Sequence, residues 1–254
     1  MTARETAEIV IGYVALVLWS FQLLPQAWKN FRSGSAVGLS VLMMALWAIW
    51  TPFFGGYAIY SDLAVPLLVQ PNLFGFFATI CFVQCIYYGT KSNREKRGPA
   101  RAIYALLLLA VCLAVLGGLE TGLYFATKKA SESSWPNVTF ALGVLPTILI
   151  VLGFVPMYYE IFKTSIVDGL SEPFLIMDTL GGILSVLALG LRPPPFDWLN
   201  AGSYAAVAIL DLGILALIRW YKWTGKAKPV NSETPAMSTS QLESAFRSTE
   251  SSPV

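Results

Sequence analysis

Histidine is absent from all 254 residues of the chain. That removes the commonest metal ligand and the side chain that changes charge nearest neutral pH. Cysteine is nearly as scarce, with only Cys81, Cys85 and Cys112. Cys81 and Cys85 share a helix face at i, i+4. With no histidine or nearby acid they read as small packing residues, not as a metal or redox pair. Asp, Glu, Lys and Arg together make up 13% of the chain, where a soluble protein carries about 25%. There is no nucleophile–base pattern and no phosphate-cradling glycine run. Neither a metal, a cofactor nor an enzymatic activity is expected.

What fills the chain instead is apolar sequence, 56% of it hydrophobic. Ile9–Trp28, Leu39–Tyr60, Leu63–Thr90 and Ser133–Tyr159 contain no charged residue, and Ala102–Leu119 runs clean until Glu120. Leu170–Leu191 is interrupted by Glu172 and Asp178, and Trp198–Ile218 by Asp211. A bilayer takes about 20 residues to cross, so the sequence predicts an all-α integral membrane protein with seven transmembrane helices. The first run is too long for a signal peptide and lacks a small-residue cleavage pattern. From Thr224 the chain is rich in Ser, Thr and Pro and is expected to be disordered. The sequon Asn137-Val138-Thr139 starts the fifth span, too near the bilayer for glycosylation to be expected.

Orientation follows from Lys and Arg. Of the 17 such residues, all but Arg4, Lys128, Lys129 and Arg192 fall on the side that receives the loops after spans 1, 3 and 5 and the C-terminal tail. That side is expected to be cytosolic, and the N-terminus lumenal.

The dominant pattern is an internal repeat. Residues 24–40 align without a gap onto 155–171 at an offset of 131. Pro25/Pro156, Phe31/Phe162, Gly38/Gly169, Leu39/Leu170 and Ser40/Ser171 are identical. A repeat of this kind fixes architecture. Similar sequence means the halves run in the same direction, and two parallel three-helix units need an odd helix between them. The expected organisation is therefore 3+1+3: a first half (1–90), a linking helix with its loops (91–132), a second half (133–223) and a tail (224–254).

Three groups of residues stand out chemically. Pro25 and Pro156 break helical hydrogen bonding at matched places, which in transporter folds points to a central site and its hinges. Asp178 and Asp211 lie mid-span, where an acid costs roughly 2.5–3.5 kcal/mol. At about 1.5 Å per residue both stand roughly 12–14 Å in from the same face. They suit a proton-coupled step or a clamp for a substrate amine. Gly181 and Gly182 follow Asp178 within a turn and ease close packing or bending. Gln84, Asn72, Asn137 and Trp47 are further candidates for the cavity wall, Trp47 occupying the position matched to Asp178. Glu120 and Glu172, nearer span ends, read as interfacial.

The repeated segment resembles the PQ-loop repeat of the PQ-loop/MtN3 transporter family. Pro25-Gln26 keeps the signature dipeptide, making Gln26 a hinge candidate, whereas the second half reads Pro156-Met157. The stretch from Leu175 to Gly182, the acid in Ile209-Leu210-Asp211-Leu212, and Val83-Gln84-Cys85 make the second half most similar to cystinosin. The resemblance implies a role for Asp178 and Asp211 in proton coupling and substrate binding. It implies a proton-coupled exporter of a small organic solute, an amino acid or derivative, working by alternating access from a vacuole or lysosome to the cytosol. Expected partners are that solute, protons and the bilayer, with no nucleic acid and with a homo-oligomer left open. The alternative is a non-transporting member acting as a receptor or in lipid or lipid-linked sugar handling. The repeat argues against a seven-helix signalling receptor.

Overall fold

The computed structural model describes residues 2–60, 65–88, 99–132, 136–192, 196 and 198–229. Among these, regular structure is helical throughout: α1 (Ala3–Phe21), α2 (Leu24–Ser33), α3 (Val41–Tyr60), α4 (Val65–Tyr88), α5 (Pro99–Glu132), α6 (Pro136–Thr164), α7 (Glu172–Leu191) and α8 (Trp198–Trp223). With α1 and α2 joined as Ala3–Ser33, six helices are long and apolar enough to span a bilayer, and Val41–Tyr57 supplies a shorter seventh. The chain is a seven-helix membrane protein.

The repeat reappears as geometry. At the same offset of 131, α3 and α7 have matching bounds, since Val41 and Tyr60 correspond to Glu172 and Leu191. In each half the third helix lies between the first and second: α4 contacts both α1 and α3, and α8 contacts both α6 and α7. The halves join through two equivalent seams, α1 on α7 and α6 on α3. This is the arrangement of parallel repeats about an axis along the membrane normal. The linking helix α5 packs mainly on α3 and turns much of its apolar surface outward.

Both seams use one device. Trp19 Nε1 donates to the Asp178 carbonyl at 2.9 Å, and its ring covers Gly181, where a Cβ would strike it. Trp47 Nε1 donates to the Ile150 carbonyl at 3.4 Å, and its ring covers Gly153 in the same way. Each indole thus caps one carbonyl and lies over the glycine three residues on. On the axis itself Gly38 meets its own counterpart, Gly169, backbone to backbone. Gly182 lets the α8 backbone approach α7, at 3.0 Å from a would-be Cβ to the Tyr204 carbonyl oxygen.

The prolines behave differently in the two halves. Pro25 follows a break at Gln22–Leu23 and opens α2; α6 runs unbroken through Pro156. Both segments end in a left-handed residue, Gly34 (φ 58°) and, at the matched position, Ser165 (φ 59°). Past Gly225 the chain folds back, and Lys228 N–H donates to the Ser165 carbonyl at 2.9 Å. The remainder of the expected tail, 230–254, lies outside the described residues.

Candidate functional site

The loops 34–40 and 165–171 mark one face of the bundle, hereafter the loop face. The opposite side is the far face. A cavity of about 110 Å³ lies between the middle of the bundle and the far face. Tyr57, Gln70, Thr147 and Ser203 stand around it toward the far ends of their helices, and Gln22 and Asp178 stand at its inner end. Thr147 and Ser203 share a hydrogen bond of 2.8 Å. Aromatic rings from both halves, Trp19, Trp50, Phe74 and Tyr204 among them, make up much of the rest of the wall.

The inner end is rich in acceptors and poor in donors. Asp178 is 3% exposed and Asp211 0%. The two carboxyls face each other across α7 and α8 within interaction distance. Neither oxygen of Asp211 meets the geometry of a hydrogen bond, and Gln22 Oε1 is likewise buried without a partner. Tyr158 fastens α6 beside this pair, its hydroxyl donating to the Leu210 carbonyl at 2.6 Å. Ion pairs among the described residues lie elsewhere: Glu8–Arg192 on the far face, and Asp168 and Glu172 with Lys222 and Arg219 on the loop face.

Beneath the cavity, toward the loop face, the bundle is shut. Trp47, Phe154 and Phe174 are fully buried, and Trp47 contacts the other two rings at 5.1 and 5.7 Å between centroids. Below them Gln26 grips the second loop. Its Nε2 donates to the Gly169 carbonyl at 3.2 Å, and its Oε1 accepts from the Ser171 N–H at 2.6 Å. Gln26 Nε2 also donates to Asn30 Oδ1, Asn30 Nδ2 to Gln84 Oε1, and Gln84 Nε2 to the Ala27 carbonyl. Lys29 Nζ donates to the carbonyls of Asp168, Gly169 and Leu170. Met157, at the position matched to Gln26, can only pack. Replacing Gln26 with Leu strands the Ser171 N–H and part of this network. A cost of about 1–3 kcal/mol is expected, read as a drop of about 5 °C in thermal unfolding of the detergent-solubilised protein.

The sequence candidates therefore separate. Asp178 lines the cavity and Asp211 backs it. Trp47 belongs to the aromatic layer below, and Gln84 to the loop-face network. Asn72 donates to Glu120 Oε1 at 3.2 Å. Glu120 is 9% exposed and fills the notch left by Gly55. Glu172 stays at the rim in its ion pairs. The side chain of Asn137 lies outside the described residues. Gln22, Trp19, Lys29 and Glu160 were not singled out from sequence. Lys29 and Glu160 occupy matched positions with opposite charge, a signal the alignment of the halves already contained.

The PQ loop repeat family model matches this chain twice, over residues 8–66 and 138–198. An uncharacterised protein of Schizosaccharomyces pombe is 35% identical over 219 residues, covering 84% of this chain and 72% of that one. The chain belongs to the PQ-loop repeat family. Among other members, cystinosin of Drosophila melanogaster is 26% identical over 213 residues, 76% of this chain and 51% of that protein. The vacuolar histidine transporter YPQ3 of Saccharomyces cerevisiae is 29% identical over 86 residues, 34% of this chain and 28% of that one. The two matched stretches each begin in a first helix and end beyond a second, so this PQ-loop protein carries one copy of the repeat in each half.

Proposed function

We propose that the protein is a proton-coupled transporter that moves a small organic solute bearing an amino group, an amino acid or derivative, from an acidic organelle to the cytosol. The observation that carries this reading is the Asp178 carboxyl at the inner end of a small cavity, with the buried Asp211 behind it and no cation paired to either among the described residues. Two carboxylates packed together in an apolar interior cannot both stay charged, so the pair holds at least one proton. A ligand ammonium entering the cavity would find Asp178 and the unpartnered Gln22 Oε1 as acceptors, and its charge would favour loss of that proton. Binding and protonation are then linked.

The cavity lies on the far side and the loop side is packed shut, the asymmetry an alternating-access carrier needs. With the loop face cytosolic, as the distribution of Lys and Arg favours, this conformation receives solute from the lumen. The vacuolar address in the name of the YPQ3 relative supports an organelle of that kind. A cavity of about 110 Å³ suits a small solute better than a lipid-linked sugar.

The test is reconstitution. Purified protein in proteoliposomes is offered amino acids, sugars and nucleosides with and without an imposed pH gradient. Uptake of an amino-group solute that grows with the gradient is the expected outcome. Gradient-independent flux removes the proton from the reading, and no flux of any solute removes transport.

A further inference from the structure

Glu160 takes no part in the cavity. It stands on α6 one turn beyond Pro156, at the loop-face end, and is 3% exposed with Oε2 buried and unpartnered. Met157 and Ile161 on the same helix are fully buried in the hydrophobic core. The titratable groups within electrostatic reach are Lys163, one turn on along α6, and the Cys85 thiol on α4 of the other half. No ion pair reaches Glu160 among the described residues.

Pseudo-symmetry sharpens the anomaly. The matched residue, Lys29, reaches across the seam and satisfies its charge on three carbonyls of the second loop. Glu160 has no such partners. A lone carboxylate in that core would be desolvated without compensation, whereas the neutral acid is tolerated.

We infer that Glu160 is a second proton-binding site, built into the loop-face gate, that carries a proton while the gate is shut and releases it as the gate opens. When the halves part at the loop face, water reaches the carboxyl and Lys163 stands ready to favour its anion. The O–H bond of the acid breaks, its electron pair stays on the carboxylate, and the proton passes to water on that side. Its place in a transport cycle, and the opening of the loop face itself, rest on the alternating-access reading above. One proton released on opening means that the open fraction rises with pH by at most about tenfold per unit.

Cys85 is 1% exposed and supplies the reporter. The 254-residue protein carrying C81S and C112S is equilibrated in detergent between about pH 5.5 and pH 8, and the rate of Cys85 alkylation by a maleimide is measured without any solute. The same series on Glu160→Gln corrects for the intrinsic pH dependence of thiol chemistry, and the quantity read is the ratio of the two rates; the charge that Glu160 gains disfavours the nearby Cys85 thiolate, which works against the expected rise and cannot produce it. The ratio is expected to rise about tenfold across the range, with Glu160→Gln held shut throughout. A flat ratio overturns the inference. Glu160→Met, which places at this position the side chain found at Met157, guards against misfolding of the amide variant: it should label as slowly as Glu160→Gln, and labelling that still tracks pH as in the parent overturns the inference equally. Because no solute is present, these outcomes are independent of whether liposomes show flux.

Discussion

Asp178→Asn is expected to reduce pH-driven uptake by about 100-fold, equivalent to about 2.7 kcal/mol, while leaving thermal stability at neutral pH unchanged or slightly raised. The two halves of that expectation have one cause. At an effective dielectric of 20, two carboxylates about 4 Å apart repel by about 4 kcal/mol, and nothing charged offsets this for Asp178 and Asp211 among the described residues. Holding the proton between them is therefore a cost to the fold and a resource for the cycle. An amide at position 178 removes the repulsion and can donate to Asp211, but it no longer gains and loses a proton beside the ligand. Asp211→Asn should differ in a telling way. It leaves the cavity wall intact, so solute exchange at equal pH survives while the gradient loses its effect. Flux in Asp178→Asn within about twofold of the parent under the same gradient would remove these acids from the mechanism.

Gly169→Ala is expected to hold the loop face open. A Cβ there would fall inside the Gly38 carbonyl group, and backbone, unlike a side chain, has no rotamer to retreat into. The loops must separate, at an overpacking cost of about 1–3 kcal/mol. Separation also breaks the grip of Gln26 and Lys29 on the second loop, worth about 1–3 kcal/mol more. The combined loss should lower the unfolding temperature by about 10 °C and make Cys85 reactive to maleimide even at acid pH. Gly38→Ala should act in the same direction, since a Cβ there would lie 2.8 Å from the Gly169 Cα and the residue sits at φ +80°. Unchanged melting and unchanged labelling in Gly169→Ala would mean that the two loops do not form the gate.

Much of this architecture is legible in the amino-acid sequence. The ungapped repeat, the charge-free runs and the need for an odd linking helix led to seven spans and to 3+1+3. The acids at 178 and 211 stood out because an acid is costly in that setting. What escaped is instructive. The run counted as charge-free stopped at Tyr159 because the next residue is Glu160; α6 continues unbroken to Thr164 and keeps that side chain buried. The burial of Glu120 was not legible either, because it is due to a glycine notch on α3 that only packing reveals. Gln22 becomes a wall residue through the helix break before Pro25, and the matching segment around Pro156 gives no hint of it because α6 does not break.

The tryptophan device has a consequence for how such a chain can have arisen and what it can no longer do. Trp19 pairs with position 178, and the counterpart contact pairs Trp47 with position 150. Two copies of the first half alone, docked the same way, would put Trp19 against Trp47 at both seams, bulk on bulk. Two copies of the second half would put Ile150 against Asp178, with no indole at either seam. Each half has specialised as the other's complement. If both descend from a self-pairing ancestor, neither retains its self-fit, and co-expressed halves should assemble with each other in preference to pairing with themselves.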